Sequence, residues 1–130
     1  MRKNIVLIAG CFSLILALFH VYLGWKIHGL AALSPEHRAL MEMLNIGTGL
    51  LVFLLAIGST FFIKEVLTTR IGRLTLLVGF LLYALRAIGE VVLFPAFNVV
   101  IFVVCIIVAV LYLVVLLQRP GNAAEPIPSL

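Results

Sequence analysis

The sequence predicts an all-α membrane protein: a four-transmembrane-helix up-down bundle with its N- and C-termini cytoplasmic. Three observations lead there. The 130-residue chain is 65% hydrophobic and only 11% charged, with a mean hydropathy of +1.32. A soluble domain is nearer half apolar and a quarter charged, and one this small has too little interior to hide the excess. Four apolar runs each approach the ~20 residues that span ~30 Å of hydrocarbon. Finally, the basic residues are distributed unequally between the connecting segments.

The first span covers about residues 5–25 and the second about 40–63. The third covers about 74–93 and the fourth about 99–117, so the membrane domain is 1–118. Backbone groups in lipid must bond within their own segment, which makes each run a helix. Ser34-Pro35-Glu36 combines an N-cap, a proline suited to the first helical position and an early acid. The second helix therefore starts at Pro35, in the interface, before it enters hydrocarbon. Residues 64–73 read as a short basic loop, and Phe94-Pro95-Ala96-Phe97 as a tight turn joining the last two helices. The tail 119–130 holds Pro120, Pro126 and Pro128 and is expected to be a flexible cytoplasmic segment.

Orientation follows from lysine and arginine bias. Arg2, Lys3, Lys64, Arg70, Arg73 and Arg119 fall on one side of such a bundle, and only Lys26 and Arg38 on the other. Arg86 lies inside a span. The majority side is cytoplasmic, and compactness suggests a multi-pass protein of a bacterial inner membrane.

Several classes are disfavoured. The net charge of +4 is scattered among apolar spans and builds no contiguous basic face for nucleic acid. Cys11 and Cys105 lie in different runs without CxxC spacing, so they read as small packing residues. Leu7-Ile8-Ala9-Gly10-Cys11 imitates a lipoprotein box. The apolar stretch before its cysteine falls short of a signal's ~7–15 residues, however, and the run continues past it. No repeat of 20–50 residues appears. The glycine-rich phosphate loop, the early membrane glutamate of small multidrug exporters and the filter motifs of small fluoride channels are missing too.

Each span carries a stripe of small or polar residues at steps of three and four, which places the set on one side of its helix. The stripes read Ala9, Ser13, Ala17, His20, Gly24; then Glu42, Asn45, Gly49, Ala56, Thr60. The third span gives Thr75, Gly79, Tyr83, Arg86, Glu90, and the fourth Asn98, Phe102, Cys105, Ala109, Tyr112. Small residues let membrane helices approach, and polar ones need partners. In an up-down bundle His20, Glu42, Asn45, Tyr83, Arg86, Glu90 and Asn98 all fall in the extracytoplasmic half, and they are the expected lining of a polar pocket. The cytoplasmic half holds Ala, Gly, Ser, Thr and Cys. Tyr112 reads as an interfacial anchor there, and Tyr22, Trp25, Phe94 and Phe97 as an aromatic belt on the opposite side.

An arginine in mid-bilayer costs ~2.5–3.5 kcal/mol even on the lenient insertion scale, so Arg86 requires a partner in Glu90 or Glu42. A pure ion pair would fix helix register. Two glutamates, a histidine and a tyrosine exceed that need and favour a site. In that reading His20, Glu42 and Glu90 handle protons and Arg86 holds an anionic or carbonyl oxygen. A metal is not expected: no two of the candidate ligands share a helix at the spacing of di-iron bundles, and bis-histidine haem lacks its second buried histidine. No residue pattern names a cofactor.

The preferred function is binding of a lipid-soluble small molecule or lipid, with proton transfer to it as an extension. Two other classes fit the pattern. One is a non-catalytic accessory subunit of a larger membrane complex, since short loops leave little soluble surface. The other is an oligomeric transporter or channel, which needs a homo-oligomer and lacks a polar path through the cytoplasmic half.

Overall fold

A computed structural model describes residues 1–93 and 97–118. The described residues form five helices: α1 (Arg2–His28), α2 (Pro35–Phe61), α3 (Ile63–Thr68), α4 (Arg70–Val92) and α5 (Val99–Leu117). α1, α2, α4 and α5 are long and apolar enough to cross a membrane, which makes this a small multi-pass membrane protein. The expected turn at 94–97 falls mostly, and the tail 119–130 wholly, outside the described residues.

The helices differ from the spans at their ends, for one reason. Hydropathy marks only the stretch inside hydrocarbon, whereas a helix continues until its backbone groups find another partner. α1 and α2 have 27 residues each, about 40 Å at 1.5 Å per residue, and so exceed the hydrocarbon thickness. Arg2 and Lys3 begin α1 and Lys26 and His28 close it. The Lys26 ammonium lies over the rings of Tyr22 and Trp25, 5.6 and 5.7 Å from their centroids. That contact suits an amphipathic belt at a helix end.

The Ser34-Pro35-Glu36 triplet starts α2 as its chemistry predicts. Ser34 is the N-cap, its hydroxyl accepts from the backbone N–H of His37, and Pro35 opens the helix. The basic segment 64–73, expected to be a loop, is instead a further short helix and the first turn of α4. The physical reason is capping. Phe62 breaks α2 at φ −111°, and the Thr69 hydroxyl then accepts from Gly72 N–H and starts α4 at Arg70. Gly72 permits the resulting fold-back, because a Cβ there would collide with the backbone of Glu65 and Val66.

Helix pairing follows the small-residue stripes. α1 packs most extensively on α2, and α4 on α5, with α1 also touching α5. Gly10 of α1 seats against Ser59 and Thr60 of α2: an added Cβ would lie 2.8 Å from Thr60 Cγ2 and 3.1 Å from the Ser59 carbonyl carbon. Further along, His20 meets Gly49. The core gathers around the first half of α1 and the second half of α5, with Val6, Ala9, Leu76, Tyr83, Val108, Ala109 and Tyr112 buried together. Elsewhere the helices present Leu, Ile, Val and Phe outward. Threonine hydroxyls are settled inside their own helices: Thr48, Thr60 and Thr75 each donate to the carbonyl four residues earlier.

Close approach at Gly10 gives a direct expectation. Gly10→Val should separate α1 from α2 and lower stability by about 1–3 kcal/mol, the usual cost of overpacking. Reversible unfolding in detergent, with Gly47→Val as the control where a Cβ meets open space, measures the difference.

Candidate functional site

Sequence spacing places seven residues around one pocket. The structure distributes them among four places, and the physical cause is that each polar group takes the nearest partner able to satisfy it.

His20 and Asn45 form a reciprocal clasp between α1 and α2. Asn45 Nδ2 donates to the His20 backbone carbonyl at 2.8 Å, which fixes the orientation of the amide. Its Oδ1 then faces His20 Nδ1 at 2.8 Å and can only accept, so Nδ1 carries the proton and Nε2 of the neutral ring is the acceptor. Gly24 and Gly49 make room, since a Cβ on either would lie 3.0 Å from Asn45 Nδ2 or His20 Cβ.

Glu42 does not join them. Its carboxylate accepts from His28 Nδ1 at 3.0 Å, near the end of α1, where both side chains are accessible. Three residues separate it from the buried Asn45, so it sits about 60° round the helix and one turn closer to the connection. Of the two partners expected for Arg86, Glu90 or Glu42, Glu42 is therefore not the one, and it does not line the expected pocket.

Arg86, Glu90 and Asn98 do come together. Arg86 and Glu90, four residues apart on α4, form an ion pair at 2.6 Å. Glu90 is only 3% exposed, and its second oxygen accepts from the Asn98 backbone N–H at 2.9 Å. The Asn98 side chain in turn accepts from Val100 and Ile101 N–H as the N-cap of α5. A carboxylate at a helix start meets the positive end of the helix dipole. Glu90 therefore ties the end of α4 to the beginning of α5, with Arg86 as counter-ion.

Tyr83 belongs to a different assembly that the sequence reading missed. Its hydroxyl donates to Ser13 Oγ at 2.9 Å. Ser13 Oγ lies 3.1 Å from the Tyr112 hydroxyl, which lies 3.1 Å from Ser59 Oγ. One proton per hydroxyl suffices for a chain from Tyr83 through Ser13 and Tyr112 to Ser59. Each of α1, α2, α4 and α5 supplies one member. The two tyrosine rings stack, 6.1 Å apart and 8° from parallel, and Gly79 leaves the space beneath Tyr112. Tyr112 is fully buried and so is no interfacial anchor. The available signal was Ser13 and Tyr83 on the inward stripes, but Ser59 falls one position from the predicted stripe and carried no mark of its own.

Between the polar groups lies an apolar cleft of about 560 Å³. α1 contributes Phe12, Leu16, Phe19 and His20, α4 contributes Leu82, Leu85 and Arg86, and α5 contributes Ile101, Val104 and Cys105. Thr48 and Val52 of α2 complete the wall. The cleft exists because the buried face of α1 stops at Ala17, apart from Ile27, and that of α5 begins only at Cys105. Of the seven predicted residues, His20 and Arg86 line it. A second apolar groove, of about 510 Å³, runs over the α1–α2 seam beside His20 and Asn45. Among the described residues, no three His, Cys, Asp or Glu side chains gather closely enough to hold a metal ion. Comparison with family models, with curated proteins and with solved structures gives no match to this chain.

The hydroxyl cluster makes a sharp prediction. Tyr112→Phe keeps the ring stack but leaves Ser13 and Ser59 without the oxygen they share. With bonds between membrane helices averaging about 0.6 and reaching about 1.7 kcal/mol, the loss should be about 1–3 kcal/mol for the two. Unfolding of the variant in detergent micelles checks it, and wild-type stability would show that the cluster ties nothing together.

Proposed function

We propose that this chain binds a lipid-soluble molecule bearing an anionic or carbonyl oxygen, held in the cleft between the α1–α2 pair and the α4–α5 pair. The observation that supports this reading most is the lining itself. A cavity of about 560 Å³ has the size of a small-molecule site, its walls are mostly apolar, and its few polar groups include a guanidinium and an imidazole. An arginine fork suits a carboxylate or carbonyl oxygen, because its five N–H donors lie in one plane. His20, fixed by Asn45, offers an Nε2 acceptor for a hydroxyl or acid proton on the same ligand. Accessory-subunit and transport roles remain the alternatives, and the cleft favours neither of them.

Contacts pair the start of α1 with the end of α2, through Gly10 and Ser59, and the end of α4 with the start of α5, through Glu90 and Asn98. We read this as an up-down bundle in the bacterial cytoplasmic membrane. Its basic end, bearing Arg2, Lys3, Lys64, Arg70 and Arg73, faces the cytoplasm, and the Arg86 end faces outward. In a background lacking Cys11 and Cys105, Ala32→Cys should react with a membrane-impermeant maleimide in intact cells, and Lys64→Cys only after permeabilisation. The reverse pattern would invert the bundle.

Binding is tested with a diazirine-bearing fatty acid in nanodiscs. Cross-links should concentrate on the α1 segment 12–23 and the α5 segment 100–105. The paired variant Arg86→Gln with Glu90→Gln removes both charges together, so that no unbalanced ion is left in the bilayer. The amide carbonyl introduced at position 90 can still accept from the Asn98 backbone N–H. The variant should remain folded and lose labelling of the cleft by at least about 10-fold, the loss of one charge-assisted contact worth ~1.4 kcal/mol or more. Labelling spread evenly over lipid-facing residues, and unchanged in that variant, would sink the proposal.

A further inference from the structure

A smaller cavity lies at the opposite end of the helices from Arg86, with contrasting chemistry. It has a volume of about 190 Å³ and is formed where the start of α1, the α3–α4 junction and the end of α5 converge. Three arginines line it: Arg2 from the first turn of α1, and Arg70 and Arg73 from the first turn of α4. Among the described residues no acidic side chain does. Among the described residues none of the three makes an ion pair, and Arg2 Nε is buried with no hydrogen-bond partner. A buried guanidinium nitrogen without an acceptor is costly; Gln118, which also lines the cavity, has its Oε1 buried without a donor. The N-terminus of α4, a helix of 23 residues, adds backbone N–H groups and the positive end of its dipole.

We infer that this cavity binds a phosphate group. Arginine forks match phosphate oxygens in pairs, and three of them with a helix start supply more positive charge than any one protein carboxylate would balance. Leu76 and Val115 form an apolar wall beside the arginines. The site is therefore polar on one flank and apolar on the other, as the phosphate of a phospholipid is beside its acyl chains. Its position at helix ends also matches the level of lipid headgroups. Basic pockets between membrane helices favour such groups through the same electrostatics. The shared chemistry is a phosphate oxyanion, and either an anionic phospholipid headgroup or free inorganic phosphate could deliver it.

The test uses purified protein in detergent with phosphatidylglycerol, or separately inorganic phosphate, as the probe. Native mass spectrometry counts retained lipid, and thermal unfolding reads the stabilisation by either probe. Wild type should retain phosphatidylglycerol, and the paired variant Arg70→Gln with Arg73→Gln should weaken retention by about 30-fold, a factor of about five for each cation removed. Lys64→Gln, a cation of the same end that does not line the cavity, should leave retention unchanged. Stabilisation by the lipid alone assigns the site to a headgroup, and stabilisation by both probes assigns it to the oxyanion irrespective of source. If the arginine variant retains lipid as wild type does, or Lys64→Gln loses as much, the cavity holds no phosphate and the effect is general surface charge.

Discussion

Hydrocarbon offers no hydrogen bonds, and the rest of this structure depends on how the chain responds to that constraint. Away from the helix ends, the hydroxyls, amides and charges of the four long helices must find partners within the protein. The response takes three forms. Threonines bond back to their own helices, paired groups such as His20 with Asn45 join neighbours, and the Ser13–Ser59–Tyr83–Tyr112 cluster joins all four. The cluster lies where burial is deepest, and helix packing at Gly10 and Gly79 is what lets its members reach each other. Association of helices in lipid gains little from the hydrophobic effect, so such contacts and the small-residue seams decide how these helices pair.

Closure at the hydroxyl cluster has a consequence at the opposite end. Where α1 and α5 cease to bury one another, beyond Ala17 and before Cys105, the two helix pairs leave a cleft. Arg86 stands on its wall while its counter-ion Glu90 is engaged by the start of α5. One residue pair thus serves two needs. It holds the α4–α5 pair together, and it keeps a cationic side chain beside an apolar space where an isolated charge would be too costly. Removing either charge alone would leave the other without its counter-ion, which is why a paired neutral substitution is the cleaner perturbation.

Two of the cavities contrast in their polar chemistry. The cleft beside Arg86 and His20 is mostly apolar with a few donors, whereas the small cavity among Arg2, Arg70 and Arg73 is cationic and lies at the helix ends. Neither requires the other.

The sequence by itself determined the membrane class, the number of long helices and the Ser34 start of α2, because hydropathy and capping are local properties. It also determined the inward stripes: Ala9, Ser13, Ala17, Asn45, Gly79, Tyr83 and Glu90 are all buried. Tertiary structure decided which polar groups meet. Spacing fixes the face and depth of a residue only to within about one turn, and a hydrogen bond demands partners within ~3 Å. Glu42 missed the pocket by that margin and met His28, Tyr83 turned to Ser13, and Tyr112 proved central where depth alone suggested an anchor. The helix α3 was likewise invisible to hydropathy, because its existence rests on a break at Phe62 and a new cap at Thr69, a few bonds among residues of no distinctive polarity pattern.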